Sequence, residues 1–111
     1  MLILLNKLKI MKIIFDNIIF SLQKAGGISV VWYEILKRII NDNNFKLSFY
    51  EYNNAENNIF RKKLYLTDAS IIKLSSFALN FKRYLNLKIS KETEPFIFHS
   101  SYYRTCSNKN A

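Results

Sequence analysis

The sequence predicts an α/β domain with a parallel sheet, formed in the order strand, helix, strand, helix, strand. Short β-branched and aromatic runs suit buried strands, and two longer stretches carry apolar residues at three- and four-residue steps. A glycine pair separates the first strand from the first helix. Strands that alternate with helices favour right-handed crossovers and parallel pairing, as in the first half of a doubly wound sheet.

The first half of the chain gives the clearer elements. Residues 13–15 form a buried strand that ends at Asp16, and a loop then leads to Gly26 and Gly27. The helix after Gly27 has an apolar face made of Ile28, Val31, Trp32, Ile35, Leu36, Ile39 and Ile40. Residues 45–50 alternate between apolar and polar side chains, which predicts the second strand.

The second half is predicted to hold one helix and one strand. A polar loop covers residues 53–58, and residues 59–66 show no clear period. Thr67 or Asp68 is placed to cap a helix whose apolar face is Ile71, Leu74, Ala78, Phe81 and Leu85. Pro95 breaks the chain, and residues 96–98 form a third strand that ends at His99.

Length and composition limit the classes of protein. The chain has 111 residues, of which 50% are hydrophobic, so it holds one compact domain and not two. Its single cysteine, Cys106, excludes an internal disulfide and has no neighbouring His or Cys to suggest a metal site or thiol nucleophile. The net charge of +9 favours anionic partners, although the cations are spread in short groups typical of solvated faces.

The amino terminus divides the chain into two parts. Residues 1–10 are interpreted as an extension or a misassigned start, and residues 11–111 as the domain. The apolar run at residues 1–5 is too short for a signal peptide, and no stretch approaches the roughly 20 apolar residues of a membrane span. We therefore expect a cytoplasmic protein, with peripheral contact at the inner face of the membrane as an option.

Gly26 and Gly27 are the first candidate binding residues. They lie between a strand and a helix, where glycine lets the backbone approach a ligand and free helical N–H groups favour a phosphate. The loop matches neither the dinucleotide nor the P-loop fingerprint. A tight turn that needs positive φ at glycine is an equally good explanation.

The second candidate region begins at the end of the third strand. Side chains that form hydrogen bonds or carry charge are concentrated where a cleft is expected in a parallel sheet, namely His99, Ser100, Tyr102, Tyr103 and Arg104. His99 suits a sugar hydroxyl or a phosphate, and Arg104 suits an anion. Structural roles remain open for both, for the two tyrosines, and for Asp16, which lies at the end of the first strand and could anchor a loop.

Taken in order, these segments resemble the opening of glycosyltransferase family 4. The matching residues are 11–16 (MKIIFD), 20–23 (FSLQ), 26–29 (GGIS), 33–36 (YEIL) and 98–104 (FHSSYYR). The resemblance implies a retaining enzyme of the B-type fold, with two Rossmann-like domains and no essential metal or other cofactor. It also implies that the N-terminal domain binds the acceptor and that the glycine loop approaches the donor phosphate, which carries over to Gly26 and Gly27.

The sequence also departs from that family. It stops before the family's next strand with its His-Asp pair, and the donor-binding domain with its paired-Glu motif does not follow. We therefore expect a truncated, acceptor-side part of an enzyme, inactive alone. The whole enzyme would use a nucleotide sugar and a glycan or lipid-linked acceptor in bacterial surface polysaccharide synthesis.

Two alternatives remain open. One is a non-catalytic basic module that binds an anionic membrane or nucleic acid through its charge, although no single-strand stacking platform is evident and nucleic acid is the weaker option. The other is a fragment that does not fold and has no function of its own.

Overall fold

A computed structural model describes residues 10–111 of the chain. The prediction for residues 1–10 therefore lies outside the described residues, except at Ile10. Four strands form a single parallel sheet: β1 (Met11–Asp16), β2 (Phe45–Tyr52), β3 (Ile71–Leu74) and β4 (Ile97–Ser100). Their order in the sheet is β3-β2-β1-β4, so β1 lies inside the sheet between β2 and β4. The predicted parallel α/β class is confirmed at this level.

Helices are few and mostly short. They are α1 (Ile19–Leu22), α2 (Gly27–Ile39) and α3 (Leu79–Lys82), with 3-10 turns at Ala55–Asn57, Arg61–Lys63 and Asp68–Ser70. The loop predicted after β1 therefore contains one helical turn, α1. No helix among residues 10–111 has both the length and the apolar composition needed to cross a membrane.

The predicted second helix is wrong. Its first residues form β3, in which Ile71 and Ile72 lie in parallel register with Phe49 and Tyr50 of β2. Two adjacent β-branched residues suit an extended strand, and sheet pairing outweighs the helical spacing of the apolar positions. The chain turns at Ala78, whose φ of 57° is left-handed, and only then forms α3. The domain thus has four strands where the sequence predicts three.

The face of α2 that packs on the sheet is narrower than its apolar positions suggest. Trp32 and Leu36 are buried against Ile13, Phe15 and Phe49 of the sheet. Ile28, Val31 and Ile35 are exposed, although the spacing predicts them to be part of the core. Ser29 is fully buried in the first turn of α2, and its hydroxyl is satisfied because it donates to the carbonyl of Gly26. The predicted apolar face is therefore only partly correct.

The opposite face of the sheet is covered by extended segments and not by a long helix. Ile14 and Tyr50 pack there against Leu87, Ile89 and Phe96. Leu87 is bridged to Cys106, which ties the segment before β4 to the segment after it. A third apolar cluster, made of Ile18, Tyr52 and Leu79, closes the end of the sheet at which the strands finish. That end is where the candidate residues lie.

Candidate functional site

The ends of β1 and β4 meet at the point where the strand order reverses. From β1 the chain builds β2 and β3 outward on one side, and it then returns to the other side of β1 to form β4. In open α/β sheets, ligands bind in the crevice outside the carboxyl ends of the strands at this point. Asp16 and Ser100 are register partners here, so the fold brings together two candidates that are 84 residues apart in sequence.

Asp16 and Arg104 form a buried ion pair at this crevice. Arg104 donates from Nε to Oδ2 over 2.5 Å and from its terminal nitrogen to Oδ1 over 2.8 Å. Asp16 is 0% exposed and Arg104 is 8% exposed. A two-pronged guanidinium–carboxylate contact fixes both orientation and distance. The loop after β4 is therefore held to the end of β1.

The remaining donor of Arg104 points to Tyr52 at the end of β2. Its second terminal nitrogen donates to the Tyr52 hydroxyl over 2.9 Å, and its guanidinium lies 5.4 Å from the Tyr52 ring centroid. Burial opposes the charge of Arg104, but hydrogen bonding to Asp16 and the charge of that carboxylate prevail and raise the pKa of Arg104. An anion would have to displace these partners to bind this side chain.

Two serines complete the contact between β1 and the loop after β4. Ser100 Oγ donates to Asp16 Oδ2 over 2.8 Å and accepts from the Tyr102 amide over 3.2 Å. Ser101, which lies in the second candidate region but is not among its named candidates, donates from Oγ to the Asp16 carbonyl over 2.7 Å. The same oxygen accepts from the amide of Ile19 at the start of α1 over 2.9 Å. In the sequence, the only indication of this contact is the pair of consecutive serines after the predicted third strand.

His99 lies on the other face of β4, toward α2. Its ring meets the Trp32 ring edge-on at a centroid distance of 4.8 Å and is tilted against Phe15 at 6.0 Å. The residue is nevertheless exposed. The rings of Trp32 and Phe15 therefore orient His99, while part of its surface stays open to a ligand. Ser100 lies on the opposite face of β4 and contacts Asp16.

Tyr102 and Tyr103 differ in their surroundings. The Tyr102 hydroxyl accepts a 2.7 Å hydrogen bond from Arg83, whose guanidinium lies 4.8 Å from the Tyr102 ring centroid. Tyr103 is 91% exposed, and its ring lies 5.2 Å from that of Tyr102. Tyr102 is thus part of the packed structure, and Tyr103 is free to contact another molecule.

The glycine loop does not need positive φ. Neither glycine has a left-handed backbone, and Gly26 is extended with φ −77° and ψ 166°. The tight-turn explanation is therefore wrong in its premise. At Gly26 a Cβ would lie 2.0 Å from Gln23 Oε1, whereas at Gly27 it would meet nothing within 4 Å. The two glycines thus differ: Gly26 accommodates a side chain of its own loop, and Gly27 borders open space.

Gln23 holds the start of α2 in place. Its Oε1 accepts from the Ser29 amide over 3.3 Å. The preceding amides of Gly27 and Ile28 have no intrahelical acceptor, because they lie in the first turn of the helix. Asn58 donates to the Gln23 carbonyl over 2.9 Å, and the Ile59 amide donates to the carbonyl of Lys24 over 2.9 Å. The loop before Gly26 is thus attached to the segment after β2.

A second buried ion pair lies at the end of β2, and the sequence interpretation missed it. Arg61 donates to both carboxylate oxygens of Glu51 over 2.5 and 2.9 Å. Glu51 Oε2 also accepts from Asn17 over 2.9 Å, and Asn17 Oδ1 accepts from the Trp32 indole over 2.8 Å. The signal in the sequence was an acidic residue between two tyrosines at the end of an alternating strand, followed by the basic cluster at residues 61–63. Both strand ends are therefore fixed by buried guanidinium–carboxylate pairs.

Most of the candidates fall into two groups. Asp16, Ser100 and Arg104 are in direct contact, and Tyr102 adjoins them through Ser100. His99 is joined to α2 through Trp32, and α2 begins at Gly27.

Within residues 10–111, no group of three or more His, Cys, Asp or Glu side chains is arranged to hold a metal ion. The contacts of Cys106 are structural, through its bridge to Leu87.

Comparisons of this chain with protein families, with curated proteins and with solved structures give no match.

Proposed function

We propose that this chain is the acceptor-side Rossmann-like part of a nucleotide-sugar-dependent glycosyltransferase of family 4. The observation that carries the proposal is the open space over Gly27 at the first turn of α2, a helix that also seats His99 beside the reversal point of the sheet. The sequence resemblance assigns the same loop to the donor phosphate. In this family, transfer also needs a donor-binding domain.

In this proposal α2 stabilises the departing diphosphate. The amides of Gly27 and Ile28 point out of the first turn, and the helix dipole adds partial positive charge there. Gln23 already satisfies the next amide, so the donors offered to a phosphate are defined. Negative charge grows on the diphosphate as the glycosidic bond to the donor breaks, and donors fixed in advance favour that transition state.

The acceptor would be bound by the exposed groups beyond β4. His99 offers ring nitrogens to a sugar hydroxyl, and Tyr103 offers an aromatic face on which a sugar ring can pack. Asp16, Arg104 and Ser101 do not contact substrate in this scheme. They are positioning residues, because they hold the loop that carries Tyr103 against the end of β1.

Nuclear magnetic resonance of the 111-residue chain tests the phosphate site directly. Titration with a nucleoside diphosphate is expected to shift the amide signals of Gly27 and Ile28. Gly27→Val is expected to abolish those shifts without unfolding the chain, because a side chain at this position meets open space. Ile28→Val keeps both amides and is the matched control. Unchanged titration of Gly27→Val would remove the loop from the site.

The reaction itself requires this chain joined to a donor-binding domain. In that protein, Gly27→Val is expected to lower sugar transfer by about a hundredfold, and Ile28→Val is expected to leave it near wild type. The genomic sequence downstream gives an independent test. Continuation into a strand with a His-Asp pair and a later paired-Glu motif supports the family, and an unrelated continuation opposes it.

A further inference from the structure

The segment from residue 69 to residue 91 combines exposed aromatic side chains with an excess of positive charge, although Lys73 lies 4.0 Å from the Glu51 carboxylate. It contains five cations and no Asp or Glu: Lys73, Lys82, Arg83, Lys88 and Lys91. Exposed fractions are 81% for Phe77, 68% for Phe81, 73% for Tyr84 and 47% for Leu85. We call these four residues the aromatic ridge. Exposed apolar groups of this size in one short segment indicate an interaction surface.

The local backbone explains why the ridge points outward. Helical hydrogen bonds run from Phe81 N to Ala78 O and from Leu85 N to Lys82 O, so the turn of α3 continues to residue 85. Leu79 is buried on the inner side against Ile18 and Tyr52. Phe81, Tyr84 and Leu85 follow at the spacing of one helical face and are exposed together. The segment is thus amphipathic, and its outer side is apolar.

Contacts to the body of the domain hold the segment in this orientation. Arg83 donates to the Tyr102 hydroxyl and packs over the Tyr102 ring, while Lys82 donates from Nζ to the Ser75 carbonyl over 3.2 Å. Lys88 is exposed beyond the ridge. Lys82, Leu85 and Lys88 line one shallow groove, so cationic and apolar groups share the same surface. The ridge is consequently a fixed feature bordered by positive charge.

We infer that the aromatic ridge docks this chain on an anionic lipid surface. Phe and Leu side chains favour the boundary between headgroups and acyl chains, Tyr favours the headgroup level, and flanking lysines are attracted to anionic lipid. Nucleic acid fits less well, since it offers no apolar layer for Leu85 and Phe77. This inference does not depend on the proposed function, because docking on a lipid surface needs no sugar transfer.

Flotation of the full 111-residue chain with vesicles tests the inference. Binding is expected to vesicles of phosphatidylcholine mixed with phosphatidylglycerol, and little is expected to phosphatidylcholine alone. Phe77→Ser with Phe81→Ser is expected to weaken binding by about tenfold for each ring removed. Lys88→Gln is expected to weaken it roughly fivefold, and added salt should act in the same direction.

Two matched controls separate the ridge from other surfaces. Tyr65 is 95% exposed but lies outside the acid-free segment, so Tyr65→Ser should bind like the wild type. Leu4→Ser with Leu5→Ser tests the apolar amino-terminal residues in the same way. Retained binding by the Phe77/Phe81 variant, loss confined to the Leu4/Leu5 variant, or no binding to anionic vesicles at low salt would each overturn the inference. Ridge-dependent binding to RNA but not to vesicles would also overturn it.

Discussion

Asp16 and Arg104 are 88 residues apart in sequence and form a two-pronged, buried ion pair in the fold. The pair joins the end of the first strand to the loop after the last one. Removing one member of such a pair leaves the other charge buried without compensation. The stability of the whole crevice therefore depends on this contact.

Asp16→Asn is expected to lower the free energy of unfolding by about 3–5 kcal/mol, measured by urea denaturation. For a domain of this size that loss approaches the entire stability. Glu34→Gln removes an exposed carboxylate that pairs with Lys37 and Arg38 on α2, and it is the matched control expected to change little. If both variants lost the same free energy of unfolding, the Asp16–Arg104 pair would contribute no more to stability than an exposed ion pair.

Asn17→Ala is expected to destabilise the chain by about 1–3 kcal/mol for each partner left unsatisfied. Its amide bridges the buried Glu51 carboxylate and the Trp32 indole. Trp32 is the only tryptophan, so its fluorescence reports directly on the loss of this hydrogen bond. An emission spectrum identical to that of the wild type would contradict the contact. Asn57→Ala, at an exposed position of the 3-10 turn after β2, is the control.

The two glycines are expected to respond oppositely to alanine. Gly27→Ala places a methyl group in open space at the first helical position, and it should stabilise the chain by about 0.5–1 kcal/mol. Gly26→Ala forces the Gln23 side chain away from the Ser29 amide and should destabilise it. Thermal unfolding of both variants provides the comparison. A higher melting temperature for Gly26→Ala than for Gly27→Ala would contradict this description of the loop.

Ala78→Gly is expected to stabilise the chain, by up to about 1 kcal/mol. Ala78 has a left-handed backbone, which costs a residue with a Cβ roughly 1–2 kcal/mol, and the greater flexibility of unfolded glycine offsets part of the gain. Ala78→Val should destabilise the chain, since β-branching opposes this conformation. Chemical denaturation of the two variants measures both effects. Destabilisation by glycine would show that the turn does not constrain the backbone in this way.

Tyr50 gives the chain a dependence on alkaline pH. Burial, followed by the nearby charges of Glu92 and Cys106, raises the pKa of Tyr50 above its ordinary value of 10.0. The stability that this provides is complete below pH 10.0 and is lost as the pH rises through the folded-state pKa, because the unfolded chain releases the proton first. Tyr50→Phe should reduce this alkaline loss of stability. Tyr103→Phe, at a 91% exposed position, should leave it unchanged.

Local sequence was a good guide where the elements are long and regular. β1, α2, β2 and β4 lie close to their predicted positions, because α2 and β2 carry a clear period and β1 and β4 are compact β-branched and aromatic runs. It failed at residues 71–74, where helical spacing of Ile71 and Leu74 coincides with a β-branched pair, and pairing with β2 decided the outcome. Such pairing depends on a distant segment and is not visible within a local window.

The candidate site was predictable in its parts but not in its contacts. The strand-end position of Asp16 and of the residues after His99 followed from the parallel-sheet interpretation. The pairing of Arg104 with Asp16 and Tyr52 could not be predicted from the sequence. Nothing in the residue types shows whether an arginine binds a partner within the fold or an external anion. Glu51 and Arg61 were missed for the same reason: a buried ion pair resembles two solvated charges until the fold joins them.

The order of the strands in the sheet determines when each edge of β1 is covered during synthesis. β1 is made early, but its neighbour β4 and the partner of Asp16 are made more than 80 residues later. Until then one edge of β1 is unpaired and the Asp16 carboxylate must stay hydrated, so this side of the sheet closes in a late, long-range step. A nascent chain interrupted before β4 would expose an apolar strand edge, the kind of surface at which chaperones bind and aggregation begins.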